Sequence, residues 1–190
     1  MASRPVSYMP ADTYLALERR AETKSEWIDG ETVAMVGASR EHNLIVANIL
    51  GELRQQLKGR PCEVYPSDMR VKVPQSKLYT YPDVVVVCGE PQFEDAHVDT
   101  LLNPTLLVEV LSDSTESYDR GKKFGYYRTL PSLAEYLLIA QDDYKIEHYV
   151  RQPDGKWLLS DAQSLDDTVT LAAVPATLSL REVYDRVTFA

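Results

Sequence analysis

Tyr81-Pro82-Asp83-Val84-Val85-Val86-Val87 is the stretch on which the fold turns. Four consecutive β-branched residues behind an acid read as a strand buried on both faces. A second run, Leu106-Leu107-Val108-Glu109-Val110-Leu111, has the same apolar character with an acid inside it. A buried carboxylate loses its hydration, so Glu109 needs a charge partner or a metal ion. Lys122 and Lys123 follow shortly. Carboxylates on adjacent strands with a lysine nearby are the parts of a divalent-metal phosphodiesterase site.

Outward from these runs, the chain reads as one α/β domain over residues 1–190. A short helix is expected over Ala11–Arg20, with Tyr14, Leu15 and Leu17 as its apolar positions. Asp29-Gly30, between apolar stretches, signals a two-residue hairpin. A long helix follows from about Glu41 to Lys58. Val46, Leu50, Leu53 and Leu57 form its core stripe, and Gly59 ends it. Strands are expected at Cys62–Pro66, Met69–Val73, Pro82–Cys88 and Thr105–Leu111. Asp113-x-x-Glu116 is a capping box for a helix of about Thr115 to Leu130. Glu135–Ala140 is a further buried strand. Lys145–Val150 and Lys156–Leu159 form a hairpin across Pro153-Asp154-Gly155, before a strand near Thr168–Leu171 and a helical turn near Ser179–Tyr184. Helix, three strands, helix, strand from Glu41 to Ala140 make the core, with the terminal hairpins as decoration.

Composition narrows the class. In 190 residues, 44% are hydrophobic and 26% charged, ordinary for a globular chain. No apolar run reaches the roughly 18 residues of a membrane span, and no signal-peptide core follows Met1-Ala2-Ser3-Arg4-Pro5. Cys62 and Cys88 lack metal-ligand spacing and read as reduced core residues of a cytoplasmic protein. Twenty Lys and Arg against 29 Asp and Glu give a net charge of −9. That balance counts mildly against nucleic acid, whose partners carry a basic footprint.

Hydrolysing a phosphodiester requires an activated water and neutralisation of charge on the phosphate. Mg²⁺ on one or two carboxylates does both, and a neighbouring lysine orients the water or offsets charge. Here Asp83 and Glu109 meet if their strands pair, with the Val110 carbonyl as a further ligand. Lys123 sits on the next helix, with Asp119 at i−4 on the same face.

These residues resemble the PD-(D/E)xK nuclease superfamily, and more narrowly the restriction endonuclease family expanded in cyanobacterial genomes. The resemblance runs through Glu26-Trp27-Ile28-Asp29-Gly30-Glu31, Ala38-Ser39-x-x-His42, Tyr81-Pro82-Asp83-Val84, Val108-Glu109-Val110-Leu111-Ser112, Tyr118-Asp119-Arg120-Gly121-x-Lys123-x-x-x-Tyr127 and Glu135-Tyr136. It covers about residues 10 to 185. It implies a restriction-endonuclease-like core (αβββαβ, mixed sheet flanked by helices) with added N- and C-terminal β-hairpins. It also implies a Mg²⁺-dependent DNA endonuclease, with Mn²⁺ as a substitute ion, whose catalytic residues are Asp83, Glu109 and Lys123. Leu111 stands where the lysine is normally found, so the lysine role falls to Lys123 on the following helix. After Arg128, Thr129-Leu130-Pro131-Ser132-Leu133-Ala134 replaces the glycine-valine turn usual in relatives.

Each residue also has a plainer reading. Asp83 could open a strand, Glu109 could pair with a base, and Lys123 could form an ordinary i, i+4 pair with Asp119. Asp119 is expected to support Lys123 and not to bind metal. His42 is a ligand or proton carrier, or a surface or capping residue. Glu26 is a further site carboxylate or half of a hairpin ion pair. His97 and His148 read as peripheral. Two other classes stand beside the nuclease: a catalytically silent nuclease-like fold used for binding or assembly, and a hydrolase of small phosphoesters. Cutting both strands of DNA would favour a two-fold homodimer.

Overall fold

In the computed structural model, which describes residues 8–112 and 114–189, the two apolar runs become neighbouring strands at the centre of a mixed sheet. In chain order, α1 (Ala11–Glu18) precedes a hairpin of β1 (Ser25–Ile28) and β2 (Glu31–Ala34). Then come α2 (Arg40–Gln56), β3 (Cys62–Pro66), β4 (Arg70–Val73), β5 (Leu78–Thr80), β6 (Val84–Cys88), β7 (Thr100–Leu101) and β8 (Leu106–Val110). Next, α3 (Glu116–Tyr118), a π-helical turn (Asp119–Lys123) and α4 (Phe124–Tyr127) run on without a break. The chain closes with β9 (Glu135–Ile139), β10 (Ile146–Arg151), β11 (Trp157–Ala162), β12 (Thr168–Thr170), β13 (Thr177–Ser179) and α5 (Leu180–Val183).

The main sheet has six strands in the order β11-β10-β9-β8-β6-β3. β6 and β8 are antiparallel with Val84 opposite Val108, while β8 and β9 are parallel, joined by the α3–α4 crossover. Val84 to Val87 and Leu106 to Val108 are wholly buried, as runs covered on both faces require. One face packs on α2 and the C-terminal segment through Ile45, Ile49, Leu53, Val84, Val86, Val108 and Leu137. The other packs on β4, β5 and the α3–α4 segment through Val85, Val87, Leu107, Tyr127, Tyr136 and Leu138. Each fully buried Ile or Leu of α2 contributes roughly 1.5–3 kcal/mol relative to exposure.

The terminal hairpins are parts of the sheets. β10 and β11 extend the main sheet, and β1 and β2 belong to a second, five-stranded sheet of order β2-β1-β5-β4-β7. β10 pairs with its sequence neighbour β9, whereas β1 reaches β5, a partner distant in sequence that local patterning does not encode. The Asp29-Gly30 turn forms with both residues at positive φ, 45° and 97°, as a type I′ hairpin demands.

Other expectations need correction. The α2 stripe is rotated by one residue: Ile45, Ile49, Leu53 and Leu57 are buried, while Val46 and Leu50 lie at its edge. Leu17 is 55% exposed, because α1 docks on the small sheet through Tyr14 and Leu15, with Ala11 beside them. Met69 precedes β4, and β5, β7 and β13 were not anticipated. The helix expected over Thr115–Leu130 ends at Tyr127 and contains the π turn. Its capping residue, Asp113, falls outside the described residues. Cys62 and Cys88 form a disulfide, where reduced thiols were expected. The antiparallel register of β3 and β6 sets them directly opposite, Cα to Cα 4.0 Å, a relation invisible to spacing alone. Among the described residues, no helix is long and apolar enough to cross a membrane.

Candidate active site

The site forms where the two sheets, the α3–α4 segment and the start of α2 meet. The β6–β8 register, extended by one pair from Val84 and Val108, brings Asp83 across from Glu109. Asp83 Oδ2 accepts the Val110 backbone N–H at 2.7 Å, so the side chain continues the ladder where the strand ends. Glu109 points to the opposite face from its neighbours Val108 and Val110, as strand alternation requires.

Lys123 reaches this acid from the helix. Its Nζ lies 2.9 Å from Glu109 Oε1, 3.3 Å from Glu26 Oε1 and 3.6 Å from Asp119 Oδ1. The π turn explains how Asp119, Lys123 and Tyr127 all face inward. An α-helix drifts by about 40° between residues four apart, and the wider π turn takes up that drift. Phe124 N–H donates to the Asp119 carbonyl, the i−5 bond that defines the turn. Lys122, one position away, is exposed.

Glu26 comes from β1 and not from a local hairpin pair. Beside its Lys123 contact it accepts the Thr80 hydroxyl from β5. Thr80 lies 3.2 Å from the Tyr127 hydroxyl, which donates to Glu109 Oε1 at 2.7 Å. His42 enters from α2. Ser39 caps that helix by accepting the His42 backbone N–H, which leaves the imidazole free to set Nε2 3.2 Å from Asp83 Oδ2. The structure thus gathers all six predicted residues, Glu26, His42, Asp83, Glu109, Asp119 and Lys123. Thr80 and Tyr127 were missed as members. Tyr127 carries a sequence signal, since it continues the four-residue spacing of Asp119 and Lys123; Thr80 carries none.

Charge dominates the site. Glu26, Glu109, Asp119 and Lys123 are each at most 9% exposed. Four carboxylates share one ammonium, and two like charges about 4 Å apart cost about 4 kcal/mol at an effective dielectric near 20. Burial pushes the Glu109 carboxyl up to about 8; Lys123 opposes the shift and is outweighed, while Asp83 and Asp119 add to it. Burial likewise raises the Asp119 carboxyl. Burial would lower the Lys123 ammonium, but Glu109, Glu26 and Asp119 hold it well above the lysine range.

An all-oxygen acid set in excess over cations suits a hard divalent ion. Two buried polar atoms at the site, His42 Nδ1 and the Tyr118 hydroxyl, lack a partner among the described residues, which also fits a site that receives something. Among those residues no three His, Cys, Asp or Glu side chains already stand at metal-holding geometry. Asp83 and Glu109 are the two carboxylates that the β6–β8 register sets across from each other.

His97 is exposed. His148 is buried away from Glu109, with its Nε2 2.5 Å from Glu135 Oε2. Glu135 also accepts the Ala172 and Ala173 backbone N–H groups, which pins the C-terminal segment to the sheet face opposite Glu109.

The fold is that of a nuclease-like α/β protein. The crystal structure of "a putative nuclease belonging to DUF820" from Anabaena variabilis matches it with a TM-score of 0.76, over 93% of this chain and 98% of that one. At 18% identity this likeness speaks for the fold alone. The chain belongs to the Uma2 family, described as "Putative restriction endonuclease", whose model matches residues 11–182. An uncharacterized protein of Synechocystis sp. is 43% identical over 153 residues, 80% of this chain and 86% of that protein. A second uncharacterized protein of that organism is 34% identical over 98% of this chain and 97% of its own.

Proposed function

We propose that this chain is a divalent-metal-dependent DNA endonuclease, with Mg²⁺ as the ion and Mn²⁺ as a substitute. The observation that carries the proposal is the excess of buried carboxylate over cation around Lys123. Held by Asp83 and Glu109, the ion would supply positive charge to a phosphodiester and acidify a water. Tyr127 fixes Glu109 Oε1, and the Val110 N–H and His42 fix Asp83 Oδ2. Lys123 orients water or offsets negative charge on the phosphate, with Asp119 and Glu26 holding its ammonium. A lysine two residues after Glu109 would share its face of the strand. Lys123 Nζ, 2.9 Å from Glu109, reaches that neighbourhood from the helix, which supports the migrated role. We also assign DNA as substrate and a two-fold homodimer for double-strand cleavage.

A second reading, a silent nuclease-like fold that binds or assembles, is favoured by one feature. Lys123 already pairs with three acids, a self-satisfied network that could be purely structural. Asp83→Asn separates the two. In the nuclease it removes repulsion, and the amide oxygen still accepts the Val110 N–H, so the metal-free protein melts at or above the wild-type temperature while cleavage is lost. In the silent fold the same change strips a charge partner from His42, and a drop in melting temperature is the outcome.

A further inference from the structure

Tyr118 has the one site hydroxyl that the network leaves out. Its oxygen is buried and has no hydrogen-bond partner among the described residues. Thr80 and Tyr127, by contrast, both bond to site carboxylates. A buried donor without an acceptor is costly, and such groups are normally paired. Tyr118 is the last residue of α3, directly before the π turn. Tyr118 lies five residues before Lys123 on the same segment. The nearby charges of Glu26, Lys123 and Asp119 all act on the phenol. Burial and Glu26 keep it protonated, so its O–H is available to donate.

We propose that the Tyr118 hydroxyl binds substrate, donating to a non-bridging oxygen of the phosphodiester that enters beside Lys123. This rests on the nuclease reading above and deepens it. Four carboxylates repel an anionic substrate, so donors that bring no negative charge are needed to hold it. A protonated phenol is such a donor. The π turn gives Tyr118 this position by keeping Asp119 and Lys123 on one face, and the missing acceptor arrives with the ligand.

Tyr118→Phe keeps the ring and removes only the oxygen. The test compares it with wild type in three measurements: melting without metal, calorimetric titration with Mn²⁺, and steady-state hydrolysis of bis(4-nitrophenyl) phosphate with Mn²⁺. The expected result is a melting temperature equal to or above wild type and unchanged Mn²⁺ affinity. With these, kcat/KM falls by about 10- to 100-fold, the loss of one hydrogen bond to a charged oxygen. A purely structural hydroxyl would lower melting and leave kcat/KM per folded molecule unchanged, which overturns the proposal. So does a kcat/KM within about twofold of wild type at unchanged melting. If wild type itself neither hydrolyses this diester nor retains a labelled mixed-sequence single strand, the nuclease reading falls and this proposal with it. A wild-type enzyme that works, beside a Phe variant that works equally, removes this proposal alone.

Discussion

The Lys123 ammonium lies 2.9 Å from Glu109 Oε1, joining a residue of the α3–α4 crossover to the acid near the C-terminal end of β8. The acid cannot stay ionised in that strand unaided, and the ammonium cannot stay buried without acids. Each explains the other's burial, and Glu26 and Asp119 around the same ammonium leave negative charge over.

Lys123→Ala should abolish cleavage and lower metal-free stability by about 3 kcal/mol, the lower end for a broken buried pair, because Glu109 can hold a proton. Lys122→Ala should shift stability by no more than about 0.5 kcal/mol and leave cleavage intact, since its side chain is exposed. Thermal melting and plasmid cleavage of both variants check this. Equal losses from the two would mean a diffuse electrostatic role in place of a positioned ammonium.

Much of this arrangement was legible in the sequence. Asp83 and Glu109 announce themselves as acids attached to runs with no polar face, and Asp29-Gly30 fixes a hairpin by its backbone demands. Asp119 and Lys123 share a helix face at four-residue spacing. What was hidden is long-range. Glu26 reaches Lys123 only because β1 pairs with β5, and Cys62 meets Cys88 only through the β3–β6 register. The π turn was hidden too, since Gly121 inside Asp119–Lys123 weakens an α-helix without specifying a π turn. The α2 stripe was misplaced by one residue because Ile45, Val46, Ile49 and Leu50 are all apolar, so two adjacent faces fit the same period.

Asp99 gives a pH dependence. Hydrogen bonds from Arg19, with the charge of Arg70, hold its carboxyl well below the usual range. A carboxyl depressed in the folded state binds its proton more tightly when unfolded. Its stabilisation is complete above the unfolded value of about 3.9 and is lost as pH falls below it. Asp99→Asn should therefore flatten the acid limb of the stability curve below about pH 4, measured by urea unfolding at stepped pH. An unchanged acid limb would place the titrating group elsewhere.

The Cys62–Cys88 bond closes a loop with a sequence separation of 26 and so stabilises by about 3–4 kcal/mol in the chain-entropy account. Reduction should lower the melting temperature by several degrees. Cleavage should persist while the protein stays folded, because Cys88 and Asp83 lie at opposite ends of β6, about 16 Å apart along the strand. Melting and cleavage with and without a phosphine reductant test this, and loss of cleavage below the reduced melting transition would tie the bond to the site.

On the proposed reading, the surplus of acids around Asp83 and Glu109 holds a divalent ion that promotes phosphodiester hydrolysis. Incubating supercoiled plasmid and a linear single strand with purified protein in Mg²⁺, Mn²⁺ or EDTA tests it most directly, with Asp83→Asn alongside. Cleavage of at least one substrate is expected in Mg²⁺ or Mn²⁺, with none in EDTA and none from the variant. Intact substrates in every condition from a folded protein would contradict it, as would cleavage that survives EDTA or the Asp83→Asn change.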